Sequence, residues 1–208
     1  VYLLGLLVKA ILLVMTEFFP EIKCSNDVCS PEVLDLFEAT ILDACDEKPL
    51  QLFLASHCNL LSCLLPPGES MWCFDRPRFG GELIPDFLLA TRNSTGFQWV
   101  MIELESPTKN PLTKAGLPTA KLNEALTQVR DWRSWLRLNI AYAQSQLGFS
   151  DLHAEVHAYV VIGRRSMLEA KHIRSYQEIS TDNTGGRSYD RLLDTTKSGR
   201  NFLAAGNT

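Results

Sequence analysis

Between Gly81 and Pro107 the hydrophobic positions follow a strand-like pattern, whereas on either side they recur at three and four residues. ELIPDFLLA is apolar and β-capable, TRNSTG is turn chemistry, and FQWVMIEL returns as a β-branched and aromatic run; together they predict a hairpin. Upstream, SPEVLDLFEATILDAC opens with Ser30 at an N-cap and Pro31 at the first helical position, and Val33, Leu34, Phe37, Ile41 and Leu42 form an apolar stripe. A second helix is predicted over KPLQLFLASHCNLLSCLL, stopped by Pro66 and Pro67. PPGESMWCFDRPRFGG, dense in proline and glycine, reads as a loop, and so does SPTKNPLTKAGLPT after the hairpin.

Thr119 to Gly148 is the longest periodic segment. Leu122, Ala125, Leu126, Val129, Leu136, Ile140, Ala143 and Leu147 form its apolar stripe, with Lys121, Gln128, Trp132 and Trp135 on a neighbouring face. The two tryptophans are expected to pack in the core. AYVVIG then reads as a buried strand, SMLEAKHIRSYQEI as a helix, and SYDRLL as a short helix or turn, followed by a polar, glycine-containing, frayed tail. A hairpin followed by helix and strand predicts an α/β layer.

Residues 1–15 are apolar apart from Lys9, and with TEFF the run nears the roughly 20 residues of a spanning helix. Three readings stand side by side: a membrane anchor through residues 1–19, a buried helix, or sequence outside the functional protein. Lys9 weighs against the anchor, since a mid-span lysine costs about 2.5 to 3.5 kcal/mol on insertion scales. The resulting division is a segment and linker over 1–29, a helical region over 30–78, and an α/β domain over 79–208.

At 46% hydrophobic and 21% charged residues the composition is that of an ordinary globular protein. The net charge of -4 is unevenly spread: residues 1–105 hold 6 Lys/Arg against 15 Asp/Glu, and residues 106–208 hold 14 against 9. The basic half starts where the hairpin ends, which suits an acidic site flanked by phosphate-attracting groups. All six cysteines lie between Cys24 and Cys73 without a zinc-finger spacing, so they read as reduced thiols of a cytoplasmic protein, with a zinc site as the lesser alternative.

Acids are the anomaly within the hairpin. Asp86 interrupts the first apolar run, and Glu103 and Glu105 close the second with Leu104 between them. Alternation puts both glutamates on one face of the strand, and antiparallel pairing around TRNSTG brings Asp86 to the same end. Crowded carboxylates repel, and a hard divalent cation relieves them. The alternative is that the glutamates mark where the strand leaves the core and Asp86 caps a turn after Pro85.

Pro85 and Asp86, then a strand ending Glu103, Leu104 and Glu105, resemble the PD-(D/E)XK nuclease signature. More closely, IPDFLL, WVMIELESPTKNPLTKAG and TAKLNEALTQVRDWRSWLRLN resemble the Shedu family of prokaryotic antiviral defence proteins, whose nuclease domain is of that superfamily. The resemblance covers about Leu50 to Gly163. It implies an α/β nuclease-like fold, a central mixed sheet flanked by helices with a helical N-terminal extension, and a homo-oligomer acting on DNA. It further implies that Asp86, Glu103 and Glu105 bind Mg²⁺, or alternatively Mn²⁺. The superfamily's usual lysine position holds Glu105, so Lys109 or Lys114 is expected to supply the missing charge, Gln128 to orient a water or carboxylate, and Arg130 and Arg133 to hold the phosphate backbone. The leading expectation is a metal-dependent DNA endonuclease; the alternative is an inactive nucleic-acid- or protein-binding module on the same fold.

Overall fold

The computed structural model describes residues 29–68, 70–81, 83–177 and 183–194. The expectations for the apolar N-terminal run, Cys24 and the last residues of the chain fall outside them. Among the described residues no helix is long and apolar enough to cross a membrane.

A five-stranded sheet organises the chain. Its strands are β1 (Met71–Asp75), β2 (Phe87–Asn93), β3 (Gly96–Leu104), β4 (His157–Val161) and β5 (Thr184–Arg187), side by side in that order. The first three run antiparallel, and β4 and β5 continue parallel to β3, so the sheet is mixed. The hairpin of β2 and β3 pairs antiparallel as expected, with Leu89 opposite Val100 and Asn93 opposite Gly96, so the strands run on into TRNSTG.

Helices cover both faces. On one side α1 (Pro31–Asp43), α2 (Lys48–Ser56) and a 3-10 turn (Cys58–Leu64) bury Leu34, Phe37, Leu50, Leu54 and Leu60 against Phe87, Leu89, Val100, Ile102 and Leu104. On the other, α3 (Ala120–Ser145) lays Leu122, Ala125, Val129, Trp132 and Leu136 against Leu88, Ala90, Trp99, Met101, Ala158 and Val160. A strand sandwiched in this way is apolar at successive positions, which explains the unbroken WVMI run of β3. The helix starts are those the caps dictate: Ser30 Oγ accepts from Val33 N (3.4 Å) and Thr119 Oγ1 from Leu122 N (3.4 Å). Trp132 is buried, and Trp135 stacks on Phe79 at 5.6 Å, both packing as expected.

Four expectations need correction. The stretch read as a loop before the hairpin contains β1, so the boundary at residue 78 falls inside the sheet-bearing unit, and the helices upstream share a core with β2 and β3. The helix read through to Pro66 breaks at His57 (φ -135°, ψ 50°) and continues only as the 3-10 turn. The helix expected over 166–179 is two 3-10 turns, Arg165–Met167 and Ala170–His172, followed by the short α4 (Ile173–Gln177). Finally, TGGR ahead of SYDRLL, where no element was expected, is β5. The described cysteines, Cys29, Cys45, Cys58, Cys63 and Cys73, form no disulfide.

Candidate functional site

The acids of the hairpin meet at the end of the sheet where β3 stops. Trp99 and Met101 face α3 while Val100, Ile102 and Leu104 face α1 and α2, so alternation directs Glu103 and Glu105 to the α3 side. Phe87 pairs with Ile102, and one further step along that register sets Asp86 opposite Glu103. Asp86 is tied there, because its Oδ2 accepts a hydrogen bond from Leu104 N (2.8 Å) and its carbonyl accepts from Arg76 N (2.9 Å).

Burial then works on the charges. Glu103 is 6% exposed and Glu105 2%. Desolvation first, then the neighbouring charges of Asp86 and Glu105, push the Glu103 carboxyl up to about 9. Glu105 rises to about 6, driven by burial and held back by Lys121. Asp86 also rises through burial, opposed by the Leu104 hydrogen bond and by Arg76. Glu47, at the N-cap of α2, adds a negative field at all three.

One cation enters this group directly. Lys121 Nζ lies 3.1 Å from Glu105 Oε2 and 3.4 Å from Glu124 Oε2. The approach is an ion pair whose angle leaves Glu105 Oε2 without a well-directed hydrogen bond, although that oxygen is buried. Lys121 stands in the first turn of α3, delivered to the site by the Thr119 cap and by Leu122 anchoring the next position in the core. Its pairing with Glu105 and Glu124 raises its own pKa despite burial.

The frame around these groups is well connected. Tyr189, fully buried, donates its hydroxyl to the Glu105 carbonyl (2.8 Å). Glu105 N donates to Val161 O (2.8 Å), and Gly163 N to Ser106 O (3.2 Å). Gly163 has φ +66°, and a Cβ there would fall 2.5 Å from the Lys109 carbonyl, so glycine is required for the end of β4 to close on this loop. Ser106 Oγ also donates to Cys45 O (3.0 Å), which ties the end of β3 to the turn carrying Glu47.

Of the residues expected from sequence, Asp86, Glu103 and Glu105 share this end of the sheet. Lys109 and Lys114 are exposed on the loop after β3, and the lysine that pairs with Glu105 is Lys121 instead. Gln128 is exposed two turns along α3 from Lys121. Arg133 was expected at a phosphate backbone; it is buried, and its guanidinium donates to Thr184 Oγ1 (2.9 Å), Val156 O (2.9 Å) and Asn183 O (3.2 Å). It fastens β5 and the start of β4 to α3. Arg130 is exposed and donates to Thr127 Oγ1 (2.8 Å). Among the described residues no three carboxylate, histidine or cysteine groups form a set that would enclose a metal ion.

Lys121 and Glu47 were not singled out as site residues. Lys121 was legible as a polar position beside the apolar stripe of α3, but its partner is fixed only by the tertiary fold. Glu47 carries no local signal at all.

Fold and site together define an α/β protein with a mixed sheet and a buried carboxylate cluster, countered by one lysine, at the end of its central strand. Residues 44–193 match the family described as Shedu protein SduA, C-terminal, and the chain belongs to that family. Membership points to a role in anti-phage defence. No curated protein matches the chain.

Proposed function

We propose that the chain is a metal-dependent nuclease of the PD-(D/E)XK type that cuts DNA phosphodiester bonds. The observation that carries this reading is the Lys121–Glu105 pair beside a carboxylate, Glu103, that burial and then the charges of Asp86 and Glu105 push up to about 9. Structural acids at a strand end would turn to solvent; these are held inside, with Lys121 in an ion pair with Glu105 and Arg76 acting on Asp86 only through its charge.

The donor set suits a hard cation such as Mg²⁺. Its groups are all carboxylate oxygens, and Mg²⁺ is commonly held by one or two carboxylates with waters and substrate phosphate completing the shell. Asp86 and Glu103 are the assigned ligands, with Glu105 at the edge of the set. A bound divalent ion would acidify water and offset charge on the phosphoryl oxygens.

The remaining roles fall to the chain itself. Glu105, poised at about 6, accepts the proton of the attacking water as its oxygen bonds to phosphorus. The bond from phosphorus to the 3′ oxygen breaks, and solvent protonates the leaving alkoxide. Lys121 takes the place that the superfamily pattern gives to a lysine on the strand, holding Glu105 ionised in the ground state and stabilising the phosphorane charge. The positive excess after residue 105 attracts the backbone.

Supercoiled plasmid incubated with purified protein and Mg²⁺ or Mn²⁺ tests this. Wild type is expected to nick or linearise it, and Asp86→Asn and Glu103→Gln to lose that activity. Cleavage undiminished by both substitutions, or DNA binding without cleavage in either metal, overturns the assignment.

A further inference from the structure

The loop over 106–119 joins the two halves of the carboxylate site: Glu105 stands just before it at the end of β3, and Lys121 just after it in the first turn of α3. Both of its ends are therefore fixed beside the acids.

The loop between them is fixed as well. Leu112 is buried in the core, and it faces Pro118 in an antiparallel bridge. At the base, Thr119 N donates to Pro111 O (3.0 Å) and Thr119 Oγ1 to Asn110 O (2.9 Å). Across the tip, Thr113 N donates to Leu117 O (2.8 Å), Gly116 N to Thr113 O (2.9 Å) and Leu117 N to Thr113 Oγ1 (3.2 Å). Gly116 has φ +77°, and a Cβ there would fall 2.8 Å from the His172 ring, so the tip rests on the turn Ala170–His172 in a conformation that favours glycine.

This rigid frame presents three exposed side chains of unlike chemistry, Lys109, Lys114 and Leu117. Leu117 is 64% exposed although it is aliphatic. No Asp or Glu occurs between Glu105 and Glu124. Every other described lysine is engaged: Lys48 donates to Gln51 Oε1 (3.3 Å), Lys121 pairs with Glu105 and Glu124, and Lys171 pairs with Glu169 (2.8 Å). That last pair also occupies the acid on the segment beneath the tip. The side chains of Lys109 and Lys114 have no ion pair or hydrogen bond among the described residues. Two free cations and an apolar tip on a loop whose ordering is already met by folding suit a polyanion with apolar groups between its charges, which is the build of duplex DNA.

We propose that this loop is a DNA-docking element of the chain, Lys109 and Lys114 holding phosphates that flank the one to be cut and Leu117 wedged against the bases in the groove between them. The choice of DNA as partner rests on the nuclease reading. Lysines on phosphate supply affinity without sequence preference, and an aliphatic wedge partly unstacks a base step. The loop would thereby set the position of the backbone over Asp86, Glu103 and Glu105.

Fluorescence anisotropy of a short labelled duplex with the full chain in EDTA tests the proposal over a series of salt concentrations. Lys109→Gln/Lys114→Gln is expected to weaken binding about tenfold or more and to reduce the slope of log affinity against log salt by about two. Leu117→Ser is expected to weaken binding about threefold or more with that slope unchanged, and to abolish the fluorescence rise of 2-aminopurine placed in the duplex. Melting temperatures equal to wild type show that these exposed substitutions leave the fold intact. The matched control Arg137→Gln/Lys171→Gln removes two exposed cations that are already ion-paired, and is expected to leave affinity and slope near those of wild type. Equal losses in that control, a lysine variant that binds as wild type, or Leu117→Ser indistinguishable from wild type in affinity and fluorescence overturns the proposal. Binding through the loop by a chain that never cuts plasmid would defeat the nuclease reading alone, and cutting by a chain whose loop variants bind as wild type would defeat the loop alone.

Discussion

Lys121 Nζ reaches 3.1 Å from Glu105 Oε2, from the first turn of α3 to the end of β3, and this contact opposes the effect of burial on the Glu105 carboxyl. Lys121 lowers the Glu105 pKa, which burial alone would carry above the value of about 6. Replacing Lys121 by Met should therefore raise it further and leave Glu105 protonated near neutral pH. The expected loss is about 100-fold or more in plasmid cleavage, the scale of one acid–base group. The rising limb of the pH–rate profile should also move to higher pH. An unchanged profile with a lower plateau would separate a purely phosphate-binding lysine from one that tunes Glu105.

Glu103 makes folding sensitive to pH. Its carboxyl titrates near 9 in the native protein against 4.5 for the ordinary group, so the native state binds that proton more tightly than the unfolded chain. Stability from this group is complete below about 4.5 and is lost as pH rises through about 9. Glu103→Gln, which mimics the protonated form, is expected to melt several degrees above wild type at pH 8.5 and nearly level with it at pH 4.5, in EDTA. Melting curves by circular dichroism across that range check both the sign and the window.

How far this was readable before folding differs from residue to residue. Asp86, Glu103 and Glu105 announced themselves because acids broke apolar runs whose alternation fixes a face. The caps at Ser30 and Thr119 likewise specify helix starts locally. β5 gave no such sign: TGGR lacks β-branched residues apart from Thr184, and its glycines are demanded by tertiary neighbours, Tyr159 beside Gly185 and Tyr176 beside Gly186. β1 was masked by the prolines and glycines that flank it. Arg133 looked like a phosphate contact because nothing in a helical period shows that the Asn183 and Val156 carbonyls lie beneath it.

Arg133 is accordingly a stability residue. It is 2% exposed and satisfies two backbone carbonyls and the Thr184 hydroxyl from one rigid fork. Arg133→Met removes the guanidinium donors to the Val156 carbonyl and the Thr184 hydroxyl, while the Asn183 carbonyl keeps its bond from Ala158 N (2.9 Å), at about 1 to 3 kcal/mol for a buried group so stranded. The expected cost to the whole is about 3 kcal/mol, read from denaturant unfolding, and Arg133→Lys should recover only part of it because one ammonium does not span the fork. Arg130→Ala, changing an exposed side chain on the same helix, is expected to alter stability by less than about 0.5 kcal/mol.

Tyr189→Phe isolates the frame of the site from its charges. The phenol is buried and its hydroxyl is the donor to the Glu105 carbonyl at 2.8 Å. Removing that one oxygen strands the carbonyl, at a cost of about 1 to 3 kcal/mol, while the apolar packing beside Leu192 and Leu193 stays. If the Glu105 carbonyl positions the carboxylate by holding the strand end, cleavage should fall by a modest factor with the pH–rate profile unmoved, because none of the charged groups has changed. A shift of that profile matching the one expected of Lys121→Met would show instead that Tyr189 acts on the charge of Glu105. Measuring both variants on the same substrate therefore distinguishes the part that places the carboxylate from the part that tunes it.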